Sequence, residues 1–309
     1  MALDLDNWTA EYLSEKLQDR DDLGAMTLRQ AIDLYTREKL TAILEKTGRD
    51  RWGEVPVTTE ALKHGDMQRE LDFCTGGMGL VIDETDTVLL LMPLEEGSAR
   101  ERFAKAAQAI GAKVVEYGEA FIQKESGGRE EADEILKIIR GAGVTCVVAS
   151  PTHMVSLSRA AVRQAEAGEE EIYLRSILLN GGFAPDKTIM MLEETFQAMV
   201  FEFSDIPKAG LGLAASCGYG KGGHIREADL FIELINPVTE EAIRFESPKT
   251  PGFSNYGEIV LTTLDREEAP LVRCRTGYYS RWIFGNCPCG SQLKRLDKII
   301  PGEEEGNGR

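Results

Sequence analysis

Four soft donors in two short stretches are the residues best equipped for chemistry. Cys217 and His224 bracket the glycine-rich run CGYGKGGH, and Cys287 and Cys289 stand in NCPCG. Three thiolates and one imidazole make a closed tetrahedral set of the type that binds structural zinc, with no position left open for water. Iron is the alternative ion, but mixed sulfur and nitrogen donors favour zinc. The two pairs lie far apart in sequence, so the strands between them must bring them together. A plainer reading is also open: Cys-Pro-Cys-Gly as a tight turn, Cys217 as a buried thiol and His224 capping a strand.

The stretch that ends in this knuckle begins with Arg275-Thr276-Gly277-Tyr278. Arg275 there suits a phosphate contact and equally suits a structural turn. His153, in SPTHMV, shows no nucleophile or carboxylate partner in the sequence and reads as a pocket-lining residue. Cys74, Cys146 and Cys274 lie in apolar contexts and read as inert core thiols.

The scaffold that positions these residues is legible in the hydrophobic pattern. Residues 7–48 carry apolar positions at helical spacing and end on Gly48, which predicts two or three helices. From residue 80 onward, short apolar runs alternate strictly with helical stretches: TVLLLMP, KVVEYG, VTCVVASP, LRSILLNGG and AMVFEFSD as strands, with helices between them. That alternation predicts an α/β domain with a mostly parallel sheet flanked by helices. After Ala209, ADLFIELINP, GEIVLTTL and APLVRCRTG read as strands without intervening helices, an antiparallel or barrel-like β-subdomain. The expected division is an N-terminal helical segment (1–50), an α/β parallel-sheet core (51–209), a β-rich subdomain with the candidate zinc site (210–302) and a disordered charged tail (303–309). In such sheets ligands sit outside the carboxyl ends of the parallel strands, which directs attention to Asn180-Gly181-Gly182 and to Asp205.

Bulk properties exclude some classes. The formal net charge of -17 argues against nucleic acid or an anionic membrane as partner. No apolar run approaches the roughly 18 residues of a membrane span, and the acidic N-terminus lacks the features of a signal peptide. Six cysteines are too few for a disulfide scaffold in 309 residues. A cytoplasmic protein with thiols or metal ligands is expected.

HIREADLFIELINPVT, YGEIVLTTLDREEAPLVRCRTG and CPCGSQLKRLDKIIPG resemble the large domain of phenylacetate–CoA ligases, members of the AMP-forming, adenylate-forming superfamily. SPTHMVSLSRAA and SILLNGGFAP fit the same template. The resemblance runs from about Trp52 to Gly302 and is most specific after His224. It also implies a Cys and a His, then Cys-Pro-Cys-Gly, at the places of the four donors.

The resemblance equally implies working parts that this chain lacks. A Ser/Thr/Gly-rich phosphate loop ending in Lys should precede TVLLLMP; the only candidate, Cys74-Thr75-Gly76-Gly77-Met78-Gly79, has one hydroxyl and no following Lys and reads as the end of a helix. An aromatic-Gly-x-Thr-Glu motif, whose Thr contacts the AMP phosphate and whose Glu helps hold magnesium, is matched by Ser204, Asp205, Ile206, Pro207 and Lys208. An Asp that binds the ribose hydroxyls after Arg-Thr-Gly is replaced by Tyr278, and a phenol cannot chelate a diol as a carboxylate does. The small C-terminal domain that delivers a catalytic Lys begins, in the family, just beyond the segment matching LKRLDKIIPG. The expectation is therefore a zinc-stabilised adenylate-forming domain that has lost acyl-adenylate chemistry. It would act as a binding, regulatory or partner subunit for a protein, with a small carboxylate or acyl thioester in the old cleft. The alternative is an active AMP-forming acyl- or aryl-CoA ligase, or an adenylating half-enzyme using ATP, magnesium and CoA, with a separate C-terminal-domain-like chain supplying the Lys.

Overall fold

A computed structural model describes residues 5–48, 64–92, 99–117, 128–181, 184–206, 210–245, 255–266 and 270–302. Gly182, Pro207, Lys208 and the charged tail lie outside the described residues. Two compact units emerge, one built on Glu70–Asp205 and the other on Leu5–Arg69 and Tyr219–Arg309.

The chain opens with α1 (Leu5–Lys16) and α2 (Leu28–Thr47). Thr27 and Gln30 close a capping box at the start of α2, and Gly48 ends it in the left-handed conformation. Both helices belong to the second unit. Their anchor is Asp265, which accepts hydrogen bonds from Tyr12 Oη at 2.5 Å, from Lys39 Nζ at 2.8 Å and from Tyr35 Oη.

α3 (His64–Met78) leads into the first unit. There β1 (Thr87–Leu91), α4 (Ala99–Ile110), β2 (Lys113–Glu116), α5 (Arg129–Ala142), β3 (Cys146–Ala149), α6 (Pro151–Glu166), β4 (Ser176–Asn180), α7 (Asp186–Phe196) and β5 (Met199–Ile206) alternate as the sequence predicts. The strands lie in the order β2-β1-β3-β4-β5, and every neighbouring pair is parallel. Continuous apolar runs such as Val88–Leu91 and Cys146–Ala149 are buried, as strands covered on both faces require. Leu136, Leu157 and Leu192 from α5, α6 and α7 pack with Leu89, Val147 and Ile177 of the sheet in one core. Ser150 caps α6 and Pro151 opens it.

In the second unit β7 (Gly223–Ile225), β8 (Leu230–Ile235), β9 (Ala242–Ile243), β10 (Tyr256–Thr263), β11 (Cys274–Ile283) and β12 (Arg295–Leu296) run in the order β7-β12-β11-β10-β8-β9. All of these pairings are antiparallel. β6 (Gly210–Ser216) precedes them, and β13 (Ile300–Pro301) pairs with β11. The fold is thus mixed α/β, a parallel core with an antiparallel β-region. One strand sits later than its sequence suggests. The stretch expected as APLVRCRTG becomes a strand only at Cys274 and continues to Ile283, so Arg275-Thr276-Gly277 is strand and not turn. The reason is the alternation Cys274, Thr276, then Ser280, Trp282, whose side chains are buried while Gly277 and Arg281 are exposed. No helix among the described residues is long and apolar enough to cross a membrane.

Candidate metal centre and the nucleotide-site remnants

The donor set forms because β7 and β12 pair. His224 is opposite Arg295 and Gly223 is opposite Leu296, so the strand that follows the Cys-Pro-Cys-Gly turn carries that turn to the imidazole. Cys217 comes immediately after β6, and the loop 218–222 returns the chain to β7. Close approach dictates the glycines of that loop. A Cβ on Gly220 would stand 2.9 Å from both Cys287 Sγ and Arg295 Nη1, and one on Gly222 would be 2.2 Å from the Leu296 carbonyl. Gly222 also has φ +75°, a conformation that side-chain-bearing residues rarely adopt.

The ligand atoms of Cys217, His224, Cys287 and Cys289 all lie within 4.8 Å of one another. Cys217, His224 and Cys287 are buried and Cys289 is half-buried. Cys289 Sγ is 3.3 Å from His224 Nε2. An edge between sulfur and nitrogen on one zinc tetrahedron is about 3.6 Å, given Zn–S near 2.3 Å and Zn–N near 2.0–2.1 Å. The outer contacts also fit a ligand set. His224 Nδ1 faces the Leu293 carbonyl at 3.4 Å, which turns Nε2 and its lone pair toward the sulfurs. The Ser291 amide points at Cys289 Sγ at 3.5 Å, and Gly290 N closes the knuckle on Cys287 O at 3.0 Å. Burial first, then the Arg295 charge, holds the His224 imidazole below its ordinary pKa, which favours the neutral ring a metal needs. Burial pushes Cys146 up to about 12 and Cys74 higher still, so both are inert.

The candidate nucleotide residues fall in separate environments. Asn180, at the end of β4, donates from Nδ2 to the Phe203 carbonyl at 3.2 Å and to Asp205 Oδ2 at 3.3 Å. Gly181 follows with φ +73°. Burial raises the Asp205 pKa against the opposing effects of Asn180 and the Arg102 charge. Arg275 is engaged in its own sheet: Nε donates to Glu258 Oε2 at 2.7 Å, and Nη2 lies 2.5 Å from the same oxygen. Glu258 Oε1 accepts from the Gly277 amide at 3.0 Å, and Thr276 Oγ1 donates to the Ile259 carbonyl at 2.7 Å. The structure therefore joins Asn180 to Asp205 and ties Arg275 to Glu258.

Two partners were not foreseen from sequence. Glu258 is a buried acid in the apolar run YGEIVLTT, and an acid at that place was itself a signal that a cation must meet it. His153 does have a hydroxyl neighbour, since its Nδ1 lies 2.8 Å from Ser150 Oγ. That oxygen also accepts from the His153 amide at 3.3 Å, which marks it as the cap of α6.

No protein-family model matches the chain. A phenylacetate-coenzyme A ligase of Pseudomonas putida is 26% identical over 176 residues, covering 56% of this chain and 37% of that protein. The 2-hydroxyisobutyryl-CoA ligase solved with 2-HIB-AMP and CoA superposes with a TM-score of 0.64 at 15% identity, over 82% of this chain and 52% of that one. The same ligase in its postadenylation state gives 0.61 at 13% identity, over 96% and 67%. The chain is phenylacetate–CoA ligase-like. Its fold is the large-domain fold of the adenylate-forming enzymes, and it spans little more than a third of the curated relative's length.

In this phenylacetate–CoA ligase-like chain, the segment where a phosphate loop is implied is the last turn of α3. Thr75 Oγ1 donates to the Leu71 carbonyl at 2.8 Å, inside the helix. The Thr75 and Met78 carbonyls are taken by the amides of Gly79 and Ile82. Gly77 is a packing glycine: a Cβ there would be 2.7 Å from the Phe203 ring. Tyr278, where a ribose-binding Asp is implied, pairs through its backbone with Pro301. These residues do not fit ATP and magnesium in the way the family holds them, whereas the four soft donors do fit zinc.

Proposed function

We propose that this chain keeps the adenylate-forming fold without forming acyl adenylates, and serves as a binding, regulatory or partner subunit. The observation that carries this reading is α3. The amides and the single hydroxyl that a phosphate loop would turn toward an anion are directed along a buried helix, with Thr75 bonded to Leu71 and Gly77 against Phe203. A helix interior has no free N–H groups to cradle a phosphate. Further support comes from Asp205, bonded to Asn180, and from Arg275, neutralised by Glu258.

A structural zinc on Cys217, His224, Cys287 and Cys289 is part of the same proposal. Four protein ligands leave no open coordination position, so the ion would fasten the loop 217–224 to the turn 286–290 and take no part in chemistry. The partner is a protein, with a small carboxylate or acyl thioester as the small-molecule class for the old cleft.

The deciding experiment is an assay of pyrophosphate release from MgATP with the purified, metal-replete protein and a panel of aliphatic and aryl carboxylates. No carboxylate-dependent release is expected. Release by the chain alone would restore the ligase reading. Release only on adding a separate chain resembling the small C-terminal domain would make it an adenylating half-enzyme.

A further inference from the structure

Arg295 is buried, with 5% of its surface exposed. Its guanidinium donates to two backbone carbonyls, Nη1 to Lys221 O at 3.1 Å and Nη2 to Gly285 O at 3.2 Å. Carbonyls satisfy the N–H groups but do not cancel the charge. The other enclosed cations nearby have carboxylates: Arg226 lies 2.9 Å from Asp229, Arg29 lies 2.6 Å from Glu227, and Lys294 lies 3.3 Å from Glu227. Among the described residues, no carboxylate stands within ion-pair distance of Arg295. A full charge taken out of water without a counter-charge is strongly penalised, so a counter-charge is called for.

The surroundings of Arg295 identify it. It is the register partner of His224 across the β7–β12 ladder. A Cβ on Gly220 would be 2.9 Å from both Arg295 Nη1 and Cys287 Sγ, which limits those two atoms to at most twice that separation. A divalent ion held by three thiolates and a neutral imidazole carries one excess negative charge.

We infer that Arg295 is the counter-ion of the metal centre, a positioning residue whose fixed positive charge balances the excess negative charge of the three-thiolate site. The inference rests on the zinc reading above. It explains why the strand that carries the cysteine turn to His224 also delivers a guanidinium, and why the loop approaches it at a glycine. Without the ion, Arg295 is left buried with no counter-charge among the described residues. Metal binding thus compensates a charge as well as joining two segments.

The test is zinc affinity of the full-length protein, measured by competition with a chromophoric chelator, for the wild type, Arg295→Gln and Arg295→Lys. Cobalt(II) absorption on each serves as the check that three sulfurs still coordinate. The wild type should hold one zinc per chain. Arg295→Gln should bind about 10–100-fold more weakly, the usual range for loss of an outer-sphere partner, with its thiolate-to-cobalt band intact. Arg295→Lys keeps the charge but loses the paired carbonyl contacts, and should stay close to wild type. Equal affinity for wild type and Arg295→Gln would overturn the inference, as would a loss in Arg295→Lys as large as in Arg295→Gln. If Arg295→Gln does not fold, Arg295→Lys decides alone: folded with near-wild-type affinity supports the charge account, and weak or absent binding overturns it. A wild-type chain that takes up no zinc or cobalt would fail earlier, overturning the zinc reading and the counter-ion with it.

Discussion

Glu258 binds Arg275 and the Gly277 backbone at once: one carboxylate oxygen lies 2.5 Å from Arg275 Nη2 and the other 3.0 Å from the Gly277 amide. This single buried acid makes the Arg-Thr-Gly stretch a fastening between β10 and β11. Glu258→Gln should therefore destabilise the protein by about 2 kcal/mol, the scale of a charged hydrogen bond lost in a partly enclosed setting. Urea unfolding would measure it. Arg275→Ala should lower stability in the same direction and leave the response to MgATP unchanged from the wild type.

The anchor of the N-terminal helices should show itself in pH dependence. Burial pushes the Asp265 carboxyl up, but hydrogen bonds from Lys39, Tyr12 and Tyr35 outweigh it and hold its pKa below the ordinary value. A folded-state value below the unfolded one stabilises the protein above the ordinary carboxylate pKa of about 3.9, and that contribution is lost as pH falls through the folded value. The stability gap between wild type and Asp265→Asn should be constant from neutral pH down to about pH 5 and shrink below about pH 4. Denaturant unfolding at neutral and acidic pH would trace it; a gap that widens on acidification would contradict the assignment.

Metal removal should be felt as lost stability. A site saturated about a thousandfold above its dissociation constant contributes about 4 kcal/mol. For a chain of this size that is on the order of 10 °C in Tm. Chelation, or Cys289→Ser, should lower Tm by that order and reduce bound zinc well below one per chain. Differential scanning calorimetry paired with elemental analysis of the same samples would measure both.

Gly222→Ala places a Cβ 2.2 Å from the Leu296 carbonyl at φ +75°. Neither the carbonyl nor the backbone can yield without parting β7 from β12. We expect a loss of about 2 kcal/mol or more and weaker zinc retention, whereas Gly285→Ala, with nothing within 4 Å of its Cβ, should lose only the cost of its positive φ and retain zinc. Thermal melts and metal analysis of the two variants separate these outcomes.

The sequence carried the parallel core plainly, because strands such as Val88–Leu91 and Cys146–Ala149 are apolar throughout and alternate with amphipathic helices such as α5. That Cys217, His224, Cys287 and Cys289 come together was legible too, from their spacing and from the resemblance. What stayed hidden depended on partners distant in sequence. Asp265 gives no local hint that Tyr12 and Tyr35 will meet it across more than two hundred residues. The short strands β7 and β12 have too few residues for a period to register. Arg275 read equally as a phosphate contact and as a structural turn residue, because its partner, Glu258, comes from another strand.

We have proposed that the fold has outlived its nucleotide chemistry. Calorimetric titration of this metal-replete chain with MgATP and AMP decides the matter. On that proposal, about one zinc per chain and no heat of nucleotide binding are expected. Saturable binding at micromolar ATP would contradict it, and would mean that the residues about Asn180 and Asp205 still receive a nucleotide.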